Sequence, residues 1–225
     1  MEETEFIIAL TEHRFLGNIF VPYLIQKKEQ FYTVKSHVKL RDVKSSSGYL
    51  FKPWERELVE MIEKYSDERL VKRFSRDTSV SAFYANLDKE YFDKHISPFV
   101  DKCMFQIASV LMLSPVRLLN KEVKYANLYD EDEIEVPPFY ARPVFHFERT
   151  ATETRYRLAV SLDEKEISLR HPNIRVITNE PSILIHGRRL VVFEKLNAKK
   201  LLPFFEKSYV SAPNSIEEKY YNGFV

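Results

Sequence analysis

Four glycines in 225 residues, Gly17, Gly48, Gly187 and Gly223, set the tightest limit on what this chain can build. A phosphate cradle needs backbone amides that turn sharply and approach closely, which takes clustered glycines at the mouth of a helix. No two of these four lie close enough, so the sequence holds neither a P-loop nor a dinucleotide fingerprint. It carries no nucleotide motif of its own.

A chain of this length buries about 70% of its unfolded surface when it folds, so a sizeable core forms without staples. Apolar residues at 44% and charged residues at 30% fit a globular protein rather than a disordered tail. Seventeen Phe and thirteen Tyr predict a core rich in flat rings. The net charge of +1 gives no long-range attraction for nucleic acid, so an anion-binding surface has to come from local clustering. Cys103 is the one cysteine, which excludes an intramolecular disulfide, and its apolar neighbours Met104 and Ile107 predict a buried thiol. The apolar run Phe6 to Leu10 is too short for a signal peptide or a membrane span, which points to a reducing cytoplasm.

Three apolar runs, Phe6 to Leu10, Ile19 to Ile25 and Phe31 to Val34, read as a meander of antiparallel strands joined by the short links Thr11 to Arg14 and Gln26 to Gln30. Pro22 places its strand at an edge or a bulge. Lys44 to Gly48 reads as a loop. Pro53 starts a helix with Leu58, Met61, Ile62 and Tyr65 on one stripe. Ser66-Asp67-Glu68 caps a second carrying Leu70, Val71 and Phe74, and shorter helical pieces follow near 79–87 and 88–95. Pro98 to Leu113, apolar on nearly every side around Ile107, Val110 and Leu111, is the expected central buried helix. After Pro115 the pattern turns polar, and Asp130 to Glu133 followed by Val136-Pro137-Pro138 reads as a surface linker or a stiff extended connection.

Residues 141 to 193 alternate as strands do, with Phe145 and Phe147 on one face, Tyr156, Leu158 and Val160 on one face, and Arg155 and Arg157 opposite. Ile183 to Phe193 reads as a hairpin turning near Gly187. A helix from Asn197 follows, with Pro203 as an interior break or end, and Ser215-Ile216-Glu217-Glu218 has the capping-box pattern that opens a last helix. The fold class is α+β: an N-terminal β-meander, a helical middle segment and a mainly antiparallel C-terminal sheet with flanking helices. If the chain divides, it does so near 130–138, into a meander plus helical part over 1–133 and a β-rich part with C-terminal helices over 134–225.

The acidic run at 130–133 superficially has the look of the magnesium-binding pair of nucleotide motors, but no apolar strand and no P-loop precede it, and a solvated loop is the simpler reading. Six histidines, at 13, 37, 95, 146, 171 and 186, lack the spacing of a zinc site, so neither a metal nor a cofactor is expected. His146 is expected on a solvated sheet face and His186 in water beside its turn. Ser45 to Ser47 lack a nucleophile elbow, and no acid-base pair stands out among 33 carboxylates. The chain presents no catalytic residue.

The most informative patch is basic. Between Phe139 and Phe193, eight arginines and one lysine face six carboxylates, a local charge of +3. Arg188 and Arg189 stand at the hairpin tip, Arg170 in a second turn with His171 and Pro172, and Lys199 and Lys200 on the segment that follows. Arginine forks suit phosphate oxygens, so these five are the candidate nucleic-acid contacts. For Arg155 and Arg157, cross-strand pairing with Asp163, Glu164 or Glu166 is the simpler reading.

Glu12 to Gly17 with Phe20 to Ile25, Leu113 to Asn120, Val192 to Lys200 and Ser215 to Tyr221 together resemble the N-terminal region of large bacterial Swi/Snf-type helicase-like ATPases, across essentially the whole chain. In that family the P-loop, the magnesium-binding pair and the arginine finger lie in two motor lobes after this region. The resemblance implies a non-catalytic accessory segment, with ATP hydrolysis beyond Val225, whose partners are the C-terminal motor of the same polypeptide and DNA or RNA, with no membrane. A last helix stopping on Gly223-Phe224-Val225 would expose apolar side chains if nothing followed, although Gly223 as a left-handed cap explains those residues nearly as well. Two other readings stand beside this one: a protein-interaction module without nucleic-acid contact, and a stand-alone enzyme with a deep pocket.

Overall fold

An unbroken apolar run such as Phe6-Ile7-Ile8-Ala9-Leu10 suits a strand with no solvent face. The computed structural model, which describes residues 3–45, 48–76, 79–121, 127–217 and 219, contains that strand. β1 (Thr4–His13) buries all five of these side chains. It pairs antiparallel with β2 (Gly17–Lys27), with Gly17 at φ +74° in the turn, and β2 pairs antiparallel with β3 (Tyr32–His37). The first three strands are the expected meander. Against the other side of β1 runs β4 (Leu118–Lys121), parallel to it and not anticipated from the polar stretch after Pro115. With β5 (Asn127–Leu128) and β6 (Glu133–Ile134) the order is β5-β3-β2-β1-β4-β6. Ile7, Ala9, Ile25, Tyr32, Leu119 and Leu128 form one core cluster of this sheet. The chain is α+β and divides into two units, Met1–Val136 and Pro137–Val225.

Pro22 sits in an inner strand, not at the sheet's edge, and the geometry tolerates it for a definite reason. Its partner Ile8 donates its N–H to the carbonyl of Arg117, the residue before β4, so the Ile8–Pro22 pair exchanges no hydrogen bond and the absent N–H of Pro22 faces the β3 side. There β3 has already ended at His37, after a bulge opposite Leu24 and Ile25, and the Pro22 carbonyl accepts from Val38 N at 2.9 Å.

The helices follow their start signals. A short α1 (Leu40–Lys44) precedes the expected loop, of which Ser46 and Ser47 lie outside the described residues. α2 (Pro53–Glu63) opens on Pro53, and Glu55, although buried, has its carboxylate bonded by Lys52 N at 2.9 Å and Tyr49 Oη at 3.2 Å. α3 (Asp67–Phe74) begins after Ser66 as expected, but the Ser66 hydroxyl makes no cap bond. Ser79 caps α4 (Val80–Ala85) and Asp88 caps α5 (Lys89–Tyr91). A π turn, Phe92–Ile96, then leads without a break into α6 (Ser97–Leu111), with Pro98 at the junction between the two. α6 buries Met104, Ile107 and Ala108 completely, and it packs with α2 against β2.

The acidic run is solvated at Asp130 and Glu131, as expected, but it is not a free linker. Asp130–Asp132 forms a 3-10 turn, Glu133 belongs to β6, and Arg117 bonds Glu133 at 2.7 Å, Glu5 at 3.3 Å and Asp130 at 3.4 Å. The guanidinium also lies 4.8 Å from the centre of the Tyr32 ring, whose hydroxyl donates to Asp130 at 2.8 Å. One arginine thus ties β1, β4, β6 and the turn to β3. Of the neighbouring polar stretch, residues 122–126 lie outside the described residues.

In the second unit, β7 (Arg142–Arg149) and β8 (Glu153–Leu162) form a long hairpin, and β9 (Lys165–Ser168) folds back on β8. β10 (Ile174–Thr178), β11 (Ile183–His186) and β12 (Arg189–Val192) form a separate antiparallel sheet. The helix expected from Asn197 is instead two pieces, a 3-10 turn at Ala198–Lys200 and α7 (Pro203–Glu206). Pro203 cannot donate to a preceding carbonyl, so it starts a new helix rather than interrupting one. β13 (Val210–Pro213), also unforeseen, pairs with the start of β8. Asn214–Ile216 is a 3-10 turn that leads into helical Glu217 and Lys219, and residues 218 and 220–225 of the expected last helix lie outside the described residues. Leu158, Val160, Leu184, Val191, Phe193 and Phe204 centre the core. No helix among the described residues is long and apolar enough to cross a membrane.

Scarce glycine has a cost at the β8–β9 turn. Asp163 and Glu164, the two residues between the paired Leu162 and Lys165, both hold positive φ, +48° and +63°. A two-residue hairpin of this hand favours Asn-Gly, because a β-carbon in the left-handed region costs roughly 1–2 kcal/mol per residue. Replacing Asp163 by Asn and Glu164 by Gly is expected to raise the unfolding free energy by about 1 kcal/mol in urea denaturation. An unchanged or lower value would show that the turn stores no strain.

Candidate nucleic-acid interface

The register of β10, β11 and β12 decides which predicted contacts meet. Ile174 lies opposite His186, His186 opposite Arg189, and Gly187 N donates to Asn173 O at 2.9 Å. This brings the Arg170-His171-Pro172 turn beside the Gly187-Arg188 tip. His171 Nδ1 accepts from Asn173 N at 3.0 Å, and His186 Nε2 donates to the Ser168 carbonyl at 2.8 Å, which fixes where each ring carries its lone pair. The two rings lie 4.4 Å apart. The φ of +64° at Gly187 favours glycine, and a β-carbon there would make a tight 3.3 Å contact with His171 Cε1.

His186 is therefore half-buried against His171 rather than simply wet. Burial lowers its pKa, and the fields of His171 and Arg189 push the same way. Arg170 donates to Ser208 Oγ at 3.0 Å and is otherwise exposed, as is Arg188. Neither 167–178 nor 181–193 contains a carboxylate, so this end of the sheet gathers arginines and two imidazoles with no acid in its own strands. Such a cluster favours anions with planar, paired oxygens.

Lys199 and Lys200 lie elsewhere. Ala198 N donates to Asn179 O at 2.8 Å and Asn197 Nδ2 to Glu180 at 2.7 Å, which anchors their turn beyond the far end of β10. At about 3.3 Å per residue the two ends are roughly 15–20 Å apart. The structure unites Arg170, Arg188 and Arg189 and separates both lysines from them. Arg155 pairs chiefly within its own strand, with Glu153 at 2.9 Å, and across the sheet only with Glu148 at 4.0 Å, neither of them an expected acid, with its guanidinium over Tyr209. Glu166 goes to His146 at 2.8 Å, while Asp163 and Glu164 form the turn.

The first unit has a cleft that the sequence did not signal. Beyond the end of β3, β2 has an open side, and there the Phe20 N–H is taken by Met104 Sδ at 3.5 Å and its carbonyl by Tyr65 Oη at 2.6 Å. A cavity of about 610 Å³ lies along this side, walled by Ile19, Pro22, Val38, Ile62, His13 and His37 among others. His13 Nδ1 accepts from the amides of Phe15 and Leu16, which leaves Nε2 to donate to Asp67 at 3.3 Å, and Tyr84 donates to the same carboxylate oxygen at 2.6 Å. Burial and then Asp67 raise the Tyr84 pKa strongly. Both nitrogens of His13 are thus occupied in holding the β1–β2 turn to α3 and α4. Burial, and then the field of Lys39, lowers the His37 pKa. Among the described residues no three His, Cys, Asp or Glu side chains gather to hold a metal ion. Compared with known proteins, the chain matches no family model, no curated protein and no solved structure.

Proposed function

We propose that this chain is a non-catalytic accessory region of a nucleic-acid-dependent ATPase of helicase or translocase type, contacting DNA or RNA through the tip of the β11–β12 hairpin. One observation carries the reading: Arg170, Arg188 and Arg189 converge with His171 and His186 where neither contributing segment holds a carboxylate. Phosphate contacts of this kind position a strand without reading its sequence. The motor is the C-terminal part of the same polypeptide, as the resemblance implies, and the location is cytoplasmic. Reversing Arg188 and Arg189 to Glu should weaken oligonucleotide binding about tenfold near 0.1 M salt and flatten its salt dependence. Fluorescence anisotropy across a salt series reads both, and affinity equal to the parent would remove the tip from the interface.

A protein-docking role is favoured by a different observation. Phe139, Tyr140, Phe147 and Tyr209 are each 39–49% exposed in the second unit. Aromatic side chains of this kind anchor protein interfaces. Binding to a partner that ignores salt but is lost with Phe139→Ala would support that role.

A further inference from the structure

The α2–α3–α6 surface of the first unit carries a second concentration of cations, remote in sequence from the hairpin tip. Lys64, Arg69, Lys72 and Arg73 line one groove of about 430 Å³ with Phe99, and its carboxylates are Glu60 and Glu63. Arg69 engages Glu63 at 3.8 Å, which leaves Lys64, Lys72 and Arg73 against Glu60. Arg73 is held in place by stacking, with its guanidinium carbon 4.3 Å from the Phe99 ring centre and 5.7 Å from that of Phe74. Stacking fixes the arginine plane while leaving its edge N–H groups for a ligand. Burial raises the Cys103 thiol pKa, and Lys64, Arg73 and Lys102 each oppose that rise, so these positive fields converge on one place.

Complementing helix ends accounts for Lys72 and Arg73 in the last turn of α3. It does not account for four cations lining a single groove. Arg69, Lys72 and Arg73 stand three and four residues apart, so they are neighbours about 5–6 Å apart along one helix face. That row offers successive cations to successive charges of an extended polyanion. We propose that the groove between α2, α3 and α6 binds the phosphate backbone of a nucleic-acid strand. The choice rests on charge: a chain of singly charged phosphates matches a linear row of cations, and the arginine fork suits their paired oxygens. This contact is independent of the hairpin tip.

The test uses the full chain and a fluorescein-labelled 20-residue oligothymidylate, with anisotropy titrations from about 50 to 200 mM NaCl. Four proteins are compared: the parent, Lys64→Gln/Lys72→Gln/Arg73→Gln, Arg188→Glu/Arg189→Glu, and all five changes together. The groove variant is expected to bind at least about tenfold more weakly, with the slope of log affinity against log salt reduced by about two, since each single-strand phosphate contact contributes about 0.7. A groove variant with parent affinity and slope overturns the proposal, as does a parent chain that binds no oligonucleotide. A tip variant that binds like the parent removes the tip reading alone and leaves the groove standing.

Lysine acetylation of the parent chain provides a readout free of folding effects. The oligonucleotide should protect Lys64 and Lys72 but not the exposed Lys89. Equal labelling of all three with and without oligonucleotide also overturns the proposal, and so does protection given by polyglutamate alone, which would identify an acidic protein segment as the occupant.

Discussion

Replacing Arg117 by alanine is expected to lower the unfolding free energy by about 3 kcal/mol. Its guanidinium is the shared partner of Glu5, Asp130 and Glu133 and rests on Tyr32, with a side chain only 21% exposed. Removing one partner from a buried pair costs roughly 3–5 kcal/mol because the remaining charge loses its compensation. Here the acids are partly exposed, so water screens some of that cost, but three carboxylates are left facing one another instead of one. Their repulsion acts on the outer strand β6 and on the 3-10 turn together. Arg117→Lys should recover less than half the loss, since an ammonium cannot bond Glu133 through two nitrogens as Arg117 Nε and Nη2 do at 3.0 and 2.7 Å. Urea denaturation at low and at about 1 M salt checks both points, with a smaller Arg117→Ala loss at high salt. A loss below about 1 kcal/mol would mean the cluster is an ordinary surface pair.

What could be read in the sequence was local. The apolar run of β1, the proline that opens α2, the stripe of α6 and the glycine of the β11–β12 turn each carry their signal within a few residues, and each element formed. Elements whose existence depends on a distant partner carried none. β4 is Leu-Leu-Asn-Lys and becomes a strand because the β1 edge beside it is free; β13, Val-Ser-Ala-Pro, does so because β8 extends past β9. The acidic run read as a linker because its cation, Arg117, lies at least 13 residues away with no periodic relation to it. The same division holds for the candidate interface. Arg188 and Arg189 were legible as tip residues from Gly187, whereas the approach of His171 to His186, and the separation of Lys199 and Lys200 from both, follow from strand register. The α2–α3 groove was missed because its cations are spread over two helices and diluted by Asp67, Glu68 and Glu63. The cleft beside β2 depends on where β3 stops, which no composition reveals.

That early stop of β3 makes Met104 the most consequential side chain of the first unit, and Met104→Ala is expected to cost about 4 kcal/mol. Met104 is fully buried on α6, and truncating a buried methionine typically costs about 2–5 kcal/mol through lost contacts and the cavity left behind. A second term adds to the first. The Phe20 N–H points to the side of β2 where a neighbouring strand would lie, and with β3 absent there the Met104 sulfur is its acceptor. Alanine leaves that amide buried and unpaired, a loss of about 1–3 kcal/mol if no water enters. Met104→Leu separates the two terms, since it nearly conserves volume and removes only the acceptor, and it should cost about 1–2 kcal/mol. Hydrogen exchange at the Phe20 amide then distinguishes packing from pairing. In Met104→Leu that amide should exchange faster than its neighbours Ile19 and Val21, while the Phe20 carbonyl keeps its bond from Tyr65. If all three amides keep the same protection as in the parent, the sulfur is not the acceptor that substitutes for the missing strand.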